Sequence, residues 1–143
     1  MYWEVLMFIY KHEVQYYETD RMGITHHSNY VRWMEEARTL FLREIGWPYE
    51  RIEEEGIISP VTSLSCEYKA TSTFADEISI EITVKGVKSA RLSFEYRMLN
   101  QDGTIVCTAV SEHSFMSKEG KFVNLKRDYP IFFDLLKEQS ELK

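Results

Sequence analysis

The strongest constraint on the fold is a single long amphipathic helix pattern. Apolar residues recur every three to four positions across residues 30–45, which is the spacing of one buried helix face. We expect the helix to begin near Ser28 or Asn29, because either side chain can accept a hydrogen bond from the first free N–H groups as an N-cap. Gly46 ends the pattern, and Pro48 prevents its continuation.

Alternating apolar and polar residues predict five strands, one before this helix and four after it. We expect them at about residues 9–17, 58–70, 76–86, 90–100 and 104–117. A short last helix is expected to start at residues 128–130. One apolar helix against a five-stranded, mostly antiparallel sheet is an α+β layer arrangement, here in one domain spanning residues 1–143.

Composition narrows the classes of function. The chain has 17 basic and 23 acidic side chains and a net charge of -6, so we expect no nucleic-acid partner, because such proteins need a basic surface. The apolar run at residues 1–10 is too short to cross a bilayer, so we expect no membrane span. Cys66 and Cys107 lie in predicted strands, and we expect free thiols in a cytoplasmic protein.

The candidate site lies where the first strand leads into the helix. Residues 18–20, Glu-Thr-Asp, end the strand, and a loop with Gly23 and the pair His26-His27 follows. A helix N-terminus presents unpaired N–H groups and a partial positive charge, which can stabilise a developing oxyanion. A nearby carboxylate can attack a carbonyl carbon or activate water.

Two features of this stretch have more than one interpretation. Asp20 can be a turn residue only, because Asp commonly bonds nearby N–H groups before a glycine, or it can be a catalytic carboxylate. The pair His26-His27 could be half of a metal site. Adjacent residues point apart on most backbones, and His12 and His113 stand alone in the sequence, so we expect no metal and no other cofactor.

The same stretch resembles the opening segment of hotdog-fold acyl-CoA thioesterases of the 4-hydroxybenzoyl-CoA thioesterase type. Looser similarity continues to about Phe115. The shared pattern consists of Glu18-Thr19-Asp20, Gly23, His27, Asn29-Tyr30 and Glu36-Ala37-Arg38. The resemblance implies a hotdog fold, in which the sheet wraps around one long central helix. It also implies hydrolysis of an acyl-CoA to a free acid and coenzyme A.

The resemblance assigns roles to the residues of the loop and helix. Asp20 falls where the family keeps its nucleophile or general base. The backbone N–H of His27 would polarise the thioester carbonyl, and Gly23 and Tyr30 would lie against the substrate, although Tyr30 could equally be a core residue. A second hotdog lineage takes its carboxylate from the helix, which makes Glu36 the reserve candidate.

The resemblance also implies a partner and a binding surface. Lys85, Lys88 and Arg91 would meet the phosphates of coenzyme A, although such residues are mostly a solvated hairpin. We expect a homodimer or homotetramer with the site at the subunit interface, because edge strands stay open and one sheet face, including Leu92, Phe94 and Tyr96, should be left uncovered. Two alternatives stay open, an acyl-carrier-protein thioesterase and a non-catalytic acyl-CoA binding module.

Overall fold

The computed structural model describes residues 8–141. In chain order its elements are β1 (Phe8–Glu13), a 3-10 turn (Tyr16–Glu18), α1 (Ser28–Glu44), α2 (Tyr49–Glu54), β2 (Ile57–Ile58), β3 (Val61–Tyr68), β4 (Glu77–Lys88), β5 (Arg91–Leu99), β6 (Ile105–Ser114), β7 (Met116–Ser117), α3 (Leu125–Asp128) and α4 (Pro130–Ser140). No helix within residues 8–141 is long and apolar enough to cross a membrane.

Five strands form one sheet in the order β1-β4-β5-β6-β3, and every neighbouring pair is antiparallel. This confirms the α+β class and the mostly antiparallel sheet. Two short strands form separately, β2 at the start of the second predicted segment and β7 at the end of the last one, and they pair with each other. β1 and β3 are therefore the two edges of the main sheet.

One face of the sheet is covered by α1, as the apolar periodicity predicts. The inward residues of β4 alternate along the strand and are all buried: Ile78, Ile80, Ile82 and Val84. On α1 the side chain of Phe41 meets Phe94 of β5 edge-on, with ring centroids 5.6 Å apart. Full burial of each such side chain contributes about 2 kcal/mol to folding. The helix ends before Gly46, whose φ of 90° suits glycine.

The expectation that Leu92, Phe94 and Tyr96 face outward was wrong. These side chains are only 3%, 1% and 2% exposed and belong to the core. A strand sends alternate residues to opposite faces, and the polar set of β5, which includes Glu95 and Arg97, takes the solvent side. The outer face of the sheet is therefore polar and not an uncovered apolar surface.

The first strand is also shorter than predicted. It ends at Glu13, and the chain turns through the 3-10 segment, where Tyr16 is 77% exposed. The carboxylate of Glu18 accepts a hydrogen bond from the backbone N–H of Gln15 at 2.8 Å, and the Glu18 N–H bonds back to the Gln15 carbonyl. This reciprocal pair bends the chain toward α1.

The last helix packs on the same hydrophobic core as α1. Phe132, Phe133 and Leu136 of α4 are buried, and Phe132 stacks on Trp47 with ring centroids 4.4 Å apart. α4 also lies against β4. The sheet therefore supports a second helix in addition to the 17-residue α1.

Candidate active site

Asp20 sits in a tight turn that its own side chain helps to close. Its Oδ1 accepts a hydrogen bond from the Met22 N–H at 2.8 Å, and its backbone N–H donates to the Ile24 carbonyl at 2.8 Å. Gly23 has a φ of 79°, a conformation that glycine adopts without strain. Within residues 8–141 no donor bonds to Asp20 Oδ2. The turn role of Asp20 therefore uses one carboxylate oxygen and leaves the other available.

The N-terminus of α1 starts at Ser28, with His27 as the N-cap residue. The N–H groups of Asn29 and Tyr30 bond back to the carbonyls of His26 and His27. The Ser28 N–H donates to His26 Nδ1 at 3.2 Å, which assigns the ring proton of neutral His26 to Nε2. In the described part of the chain the His27 N–H has no acceptor, so it is a free donor at the helix start.

The expected side-chain N-cap is absent. Neither Ser28 nor Asn29 accepts a hydrogen bond from the first turn of the helix. The Asn29 side chain instead donates through Nδ2 to the Glu18 carbonyl at 2.9 Å and to the His26 carbonyl at 3.2 Å. Asn29 was assigned the wrong role because its acceptor lies 11 residues away, across the loop.

The rings of His26 and His27 stack, with centroids 4.4 Å apart and planes 27° from parallel. The expectation that they point apart was therefore wrong. The His26 N–H donates to the Glu18 carbonyl at 2.8 Å, and the His26 ring Nδ1 contacts the Ser28 hydroxyl and N–H at 2.8 and 3.2 Å. Within residues 8–141 no group of three or more His, Cys, Asp or Glu side chains is arranged to hold a metal ion.

Glu18 lies beneath this loop, and its side chain is only 6% exposed. Its carboxylate accepts hydrogen bonds from the Gln15 N–H and His12 Nε2, each at 2.8 Å, and from Trp33 Nε1 at 3.0 Å. Burial by itself would raise the pKa of Glu18, but the three donors outweigh it and hold that pKa below its usual range. Sequence reasoning gave Glu18 no role beyond its place in the shared pattern.

A second loop, between β3 and β4, forms the other side of the site. Thr73 Oγ1 donates to the Gly23 carbonyl at 2.8 Å, and the Ser72 carbonyl accepts from the Thr25 N–H at 2.8 Å. Gly23 therefore supports the turn through its backbone. Tyr30 is 3% exposed, and its hydroxyl bonds to Ser72 Oγ at 2.8 Å, so it is a core residue beneath the site.

Tyr68, at the end of β3, reaches the helix N-terminus. Its hydroxyl donates to the His27 carbonyl at 3.3 Å, and its ring lies 5.4 Å from that of Tyr30. Burial and the nearby Cys66 raise the pKa of Tyr68 to about 12. The phenol therefore keeps its proton at neutral pH and remains a hydrogen-bond donor.

Two groups of candidate residues lie away from Asp20 and His27. The Glu36 carboxylate accepts from the Tyr10 hydroxyl at 2.6 Å, on the β1 side of α1 and nine residues after His27, which is roughly 13 Å along the helix. Lys85, Lys88 and Arg91 are exposed around the β4–β5 hairpin. The Asp20 loop is hydrogen-bonded to the segment that leads into the other end of the 12-residue β4. That end lies roughly 35 Å along the strand from the hairpin.

Arg91 lies beside a surface depression of about 490 Å³. Its other lining residues are mostly apolar or small: Pro60, Thr62, Ala90, Ser114, Met116 and Phe122. A separate group of exposed apolar side chains flanks the Asp20 turn. It comprises Tyr16 and Tyr17 before the turn, Met22 within it and Phe74 on the opposing loop, with exposed fractions between 54% and 79%.

Residues 14–135 match the model of the thioesterase-like superfamily. The chain belongs to this superfamily. The match includes the Asp20 loop, α1 and the whole sheet except β1. Together with the relatives described next, this match shows that the chain is a thioester hydrolase.

Individual relatives agree. An Aquifex aeolicus protein to which esterase activity is attributed is 36% identical to this chain over 121 residues. The matched region covers 85% of this chain and 93% of the Aquifex protein. The YneP protein of Bacillus subtilis, to which acyl-CoA thioesterase activity is attributed, is 30% identical over 82% of this chain and 86% of its own.

The solved structure of a DHNA-CoA thioesterase from Staphylococcus aureus superposes on this thioesterase-like chain with a TM-score of 0.85. It is 30% identical in sequence and covers 90% of this chain and 87% of its own. This likeness confirms a hotdog thioesterase fold with a five-stranded antiparallel sheet and packed helices.

Proposed function

We propose that this protein hydrolyses acyl-CoA thioesters, with Asp20 and the His27 backbone N–H as its catalytic groups. The observation that supports this most is that hydrogen bonds to one backbone carbonyl hold the loop that carries both groups. Both belong to a loop in which the Glu18 carbonyl accepts from the His26 N–H and from Asn29 Nδ2. A carboxylate with one unbonded oxygen and a helix-start donor are the two elements that thioester hydrolysis requires.

In the proposed reaction the thioester carbonyl oxygen accepts a hydrogen bond from the His27 N–H. Asp20 either removes a proton from water, which attacks the carbonyl carbon, or attacks that carbon itself to form an anhydride that water then cleaves. The carbon–sulfur bond breaks in either route, and the sulfur leaves with its electron pair as the coenzyme A thiolate. The products are a carboxylic acid and coenzyme A, and the reaction involves no oxidation or reduction.

The proposed position of the acyl group follows from the surface around Asp20. Tyr16, Tyr17, Met22 and Phe74 present apolar surface beside the turn, and the rings of Tyr16 and Phe74 meet edge-on at 5.7 Å. An exposed apolar group of this kind is typical of a binding surface. Gly23, whose added Cβ would meet no atom within 4 Å, lies on the open side of the turn, where substrate can approach.

The proposed coenzyme A site requires a second copy of the chain. β3 is an exposed edge strand, and antiparallel pairing of two β3 strands would bring the Val61 end of one beside Tyr68 of the other. The Val61 end lies near Arg91, because Arg91 pairs with Ser114, whose N–H bonds to the Pro60 carbonyl. Lys88, Lys85 and Arg91 of one protomer would then approach the Asp20 loop of the other.

A thiol-release assay over a panel of acyl-CoA and acyl-carrier-protein thioesters tests the proposed function. We expect release of free coenzyme A from one or more acyl-CoA substrates, at a rate that follows the concentration of protein. Turnover of only the carrier-protein thioesters would favour that alternative substrate. Tight binding of acyl-CoA without any thiol release would identify a non-catalytic binding module.

A further inference from the structure

We infer that Glu18 is a positioning residue, whose buried carboxylate sets the distance between the Asp20 side chain and the His27 N–H. This inference rests on the proposed function of those two groups. Glu18 joins three parts of the chain, namely the end of the β1 segment, the Asp20 turn and α1. It does so with its side chain on one side and its backbone carbonyl on the other.

The Glu18 carboxylate is held by donors from three separate elements. His12 of β1 and the Gln15 N–H share Oε1, and Trp33 of α1 donates to Oε2. The His12 ring lies 4.7 Å from the Trp33 ring, so the two side-chain donors also pack against each other. Hydrogen bonds to a buried carboxylate are stronger than neutral ones, so this arrangement fixes the side chain firmly.

The backbone of the same residue holds both halves of the site. The Glu18 carbonyl accepts from the His26 N–H at 2.8 Å and from Asn29 Nδ2 at 2.9 Å, which fixes the turn that presents the His27 N–H. Asp20 follows two residues later, and a bridge between Thr19 and Thr25 holds its turn in place. Loosening the Glu18 side chain would therefore displace both groups relative to each other.

The donor pattern makes Glu18→Gln a sharp probe, although glutamine has nearly the same shape. Both carboxylate oxygens act as acceptors, one for the Gln15 N–H and the other for the Trp33 indole N–H. Either orientation of a glutamine amide would point its NH2 group at one of these N–H donors. A buried donor facing another donor loses its hydrogen bond, so the loop must shift or loosen.

We therefore predict that Glu18→Gln lowers kcat by about 10-fold or more while KM stays within about two-fold, since a misplacement of 1 Å can cost roughly 100-fold in rate. Trp33→Phe removes one donor and should lower kcat by a few-fold. In the double variant Glu18→Gln/Trp33→Phe the glutamine amide can turn its NH2 group toward the phenyl ring of the new phenylalanine. Its kcat should exceed that of Glu18→Gln alone, because substitutions at contacting residues are not additive.

Amide hydrogen exchange gives a readout that does not depend on turnover. Glu18→Gln should speed exchange of the His26 N–H, which bonds to the Glu18 carbonyl, and leave the core N–H of Ile80 unchanged. If both amides exchange faster to the same degree, Glu18 supports global stability only, and the inference is wrong. If Glu18→Gln does not fold, parent-like kcat in Trp33→Phe would equally overturn it.

Asp20→Asn in the same assay separates the two proposals. Loss of turnover in Asp20→Asn together with parent-like kcat in Glu18→Gln would refute the positioning role alone. Full turnover in Asp20→Asn would refute the proposed catalytic group, whatever Glu18→Gln does. The expected result is that both variants lose turnover and that only Glu18→Gln is partly restored by Trp33→Phe.

Discussion

The indole Nε1 of Trp33 donates a 3.0 Å hydrogen bond to the buried carboxylate of Glu18. This contact ties the second turn of α1 to the segment that leads into Asp20. The most buried aromatic side chain of the helix, which is 0% exposed, is therefore part of the support of the candidate site.

Stability should depend on pH through His113. This residue is 3% exposed, and burial, together with the nearby Arg38, lowers the pKa of His113 to about 4. Below about pH 6.5 His113 takes up a proton in the unfolded chain but not in the folded chain. Folding stability is therefore lost as pH falls from about 6.5 toward 4. The loss amounts to roughly 3 kcal/mol. Urea denaturation of the parent and His113→Gln at pH 7 and pH 4.5 measures it.

Carboxyl groups also change stability between pH 7 and pH 4.5. The test is therefore the difference between the losses of stability of the parent and of His113→Gln. His113 Nε2 lies 2.8 Å from Ser111 Oγ, which bonds in turn to the Tyr96 hydroxyl beside Arg38. Glutamine can still bond to Ser111 but cannot take up a proton. Equal losses of stability in parent and variant would show that His113 does not cause the dependence.

The protein should form a homodimer or homotetramer, with each site built from two protomers. Light scattering should therefore give at least the mass of a dimer at micromolar concentration. A sharper test mixes two inactive or weakened variants, Asp20→Asn and Lys88→Ala/Arg91→Ala. A mixed dimer would contain one site with both intact parts, so at a substrate concentration well below KM the activity of the mixture should exceed the mean of the two variants. A monomer in solution, or mixing without recovery, would contradict the shared site.

Charge removal at the hairpin should weaken the binding of coenzyme A. The triple variant Lys85→Ala/Lys88→Ala/Arg91→Ala should raise KM with little change in kcat, which indicates loss of uniform binding. The increase should shrink with added salt, because salt screens exposed charges. Substitution of three other exposed cations, Lys11, Arg43 and Lys137, is the matched control. Equal KM values in the two triple variants would place the phosphates elsewhere.

Activity should survive exhaustive chelation. His26 Nδ1 is already an acceptor for the Ser28 N–H, and the ligand number that zinc requires is not met by His26 and His27 alone. Turnover should therefore be the same before and after dialysis against EDTA. Loss of turnover that added zinc restores would overturn this assignment of the two histidines.

The periodicity of the sequence was enough to predict the long helix and the strands of the main sheet, but not the short strands β2 and β7. The helix face and the strand alternation are local properties, so the existence of α1, the inward side of β4 and the stop at Gly46 could be read directly. The side of β5 was misassigned, although its alternating polar residues Glu95 and Arg97 gave the necessary signal. The early end of β1 was missed because it depends on the Glu18 side chain.

The supports of the candidate site could not be read from the sequence. The Glu18 carboxylate accepts a hydrogen bond from Trp33, 15 residues later in the chain. The Glu18 carbonyl accepts one from the Asn29 side chain, 11 residues later. Such partners depend on how the loop crosses the helix, which residue spacing does not determine. The shared pattern led to Asp20 and His27, but the hydrogen bonds of the buried Glu18 carboxylate became visible only in the structure.

The most direct test of the account is kcat of Asp20→Asn beside the control Glu36→Gln. Asparagine keeps the Oδ1 acceptor of the Met22 N–H but cannot act as a base or nucleophile at neutral pH. We predict that Asp20→Asn lowers kcat by at least ~100-fold, the low end for loss of a general base, while Glu36→Gln is mild. Parent-like kcat in Asp20→Asn together with loss of activity in Glu36→Gln would contradict the account and assign the catalytic carboxylate to α1.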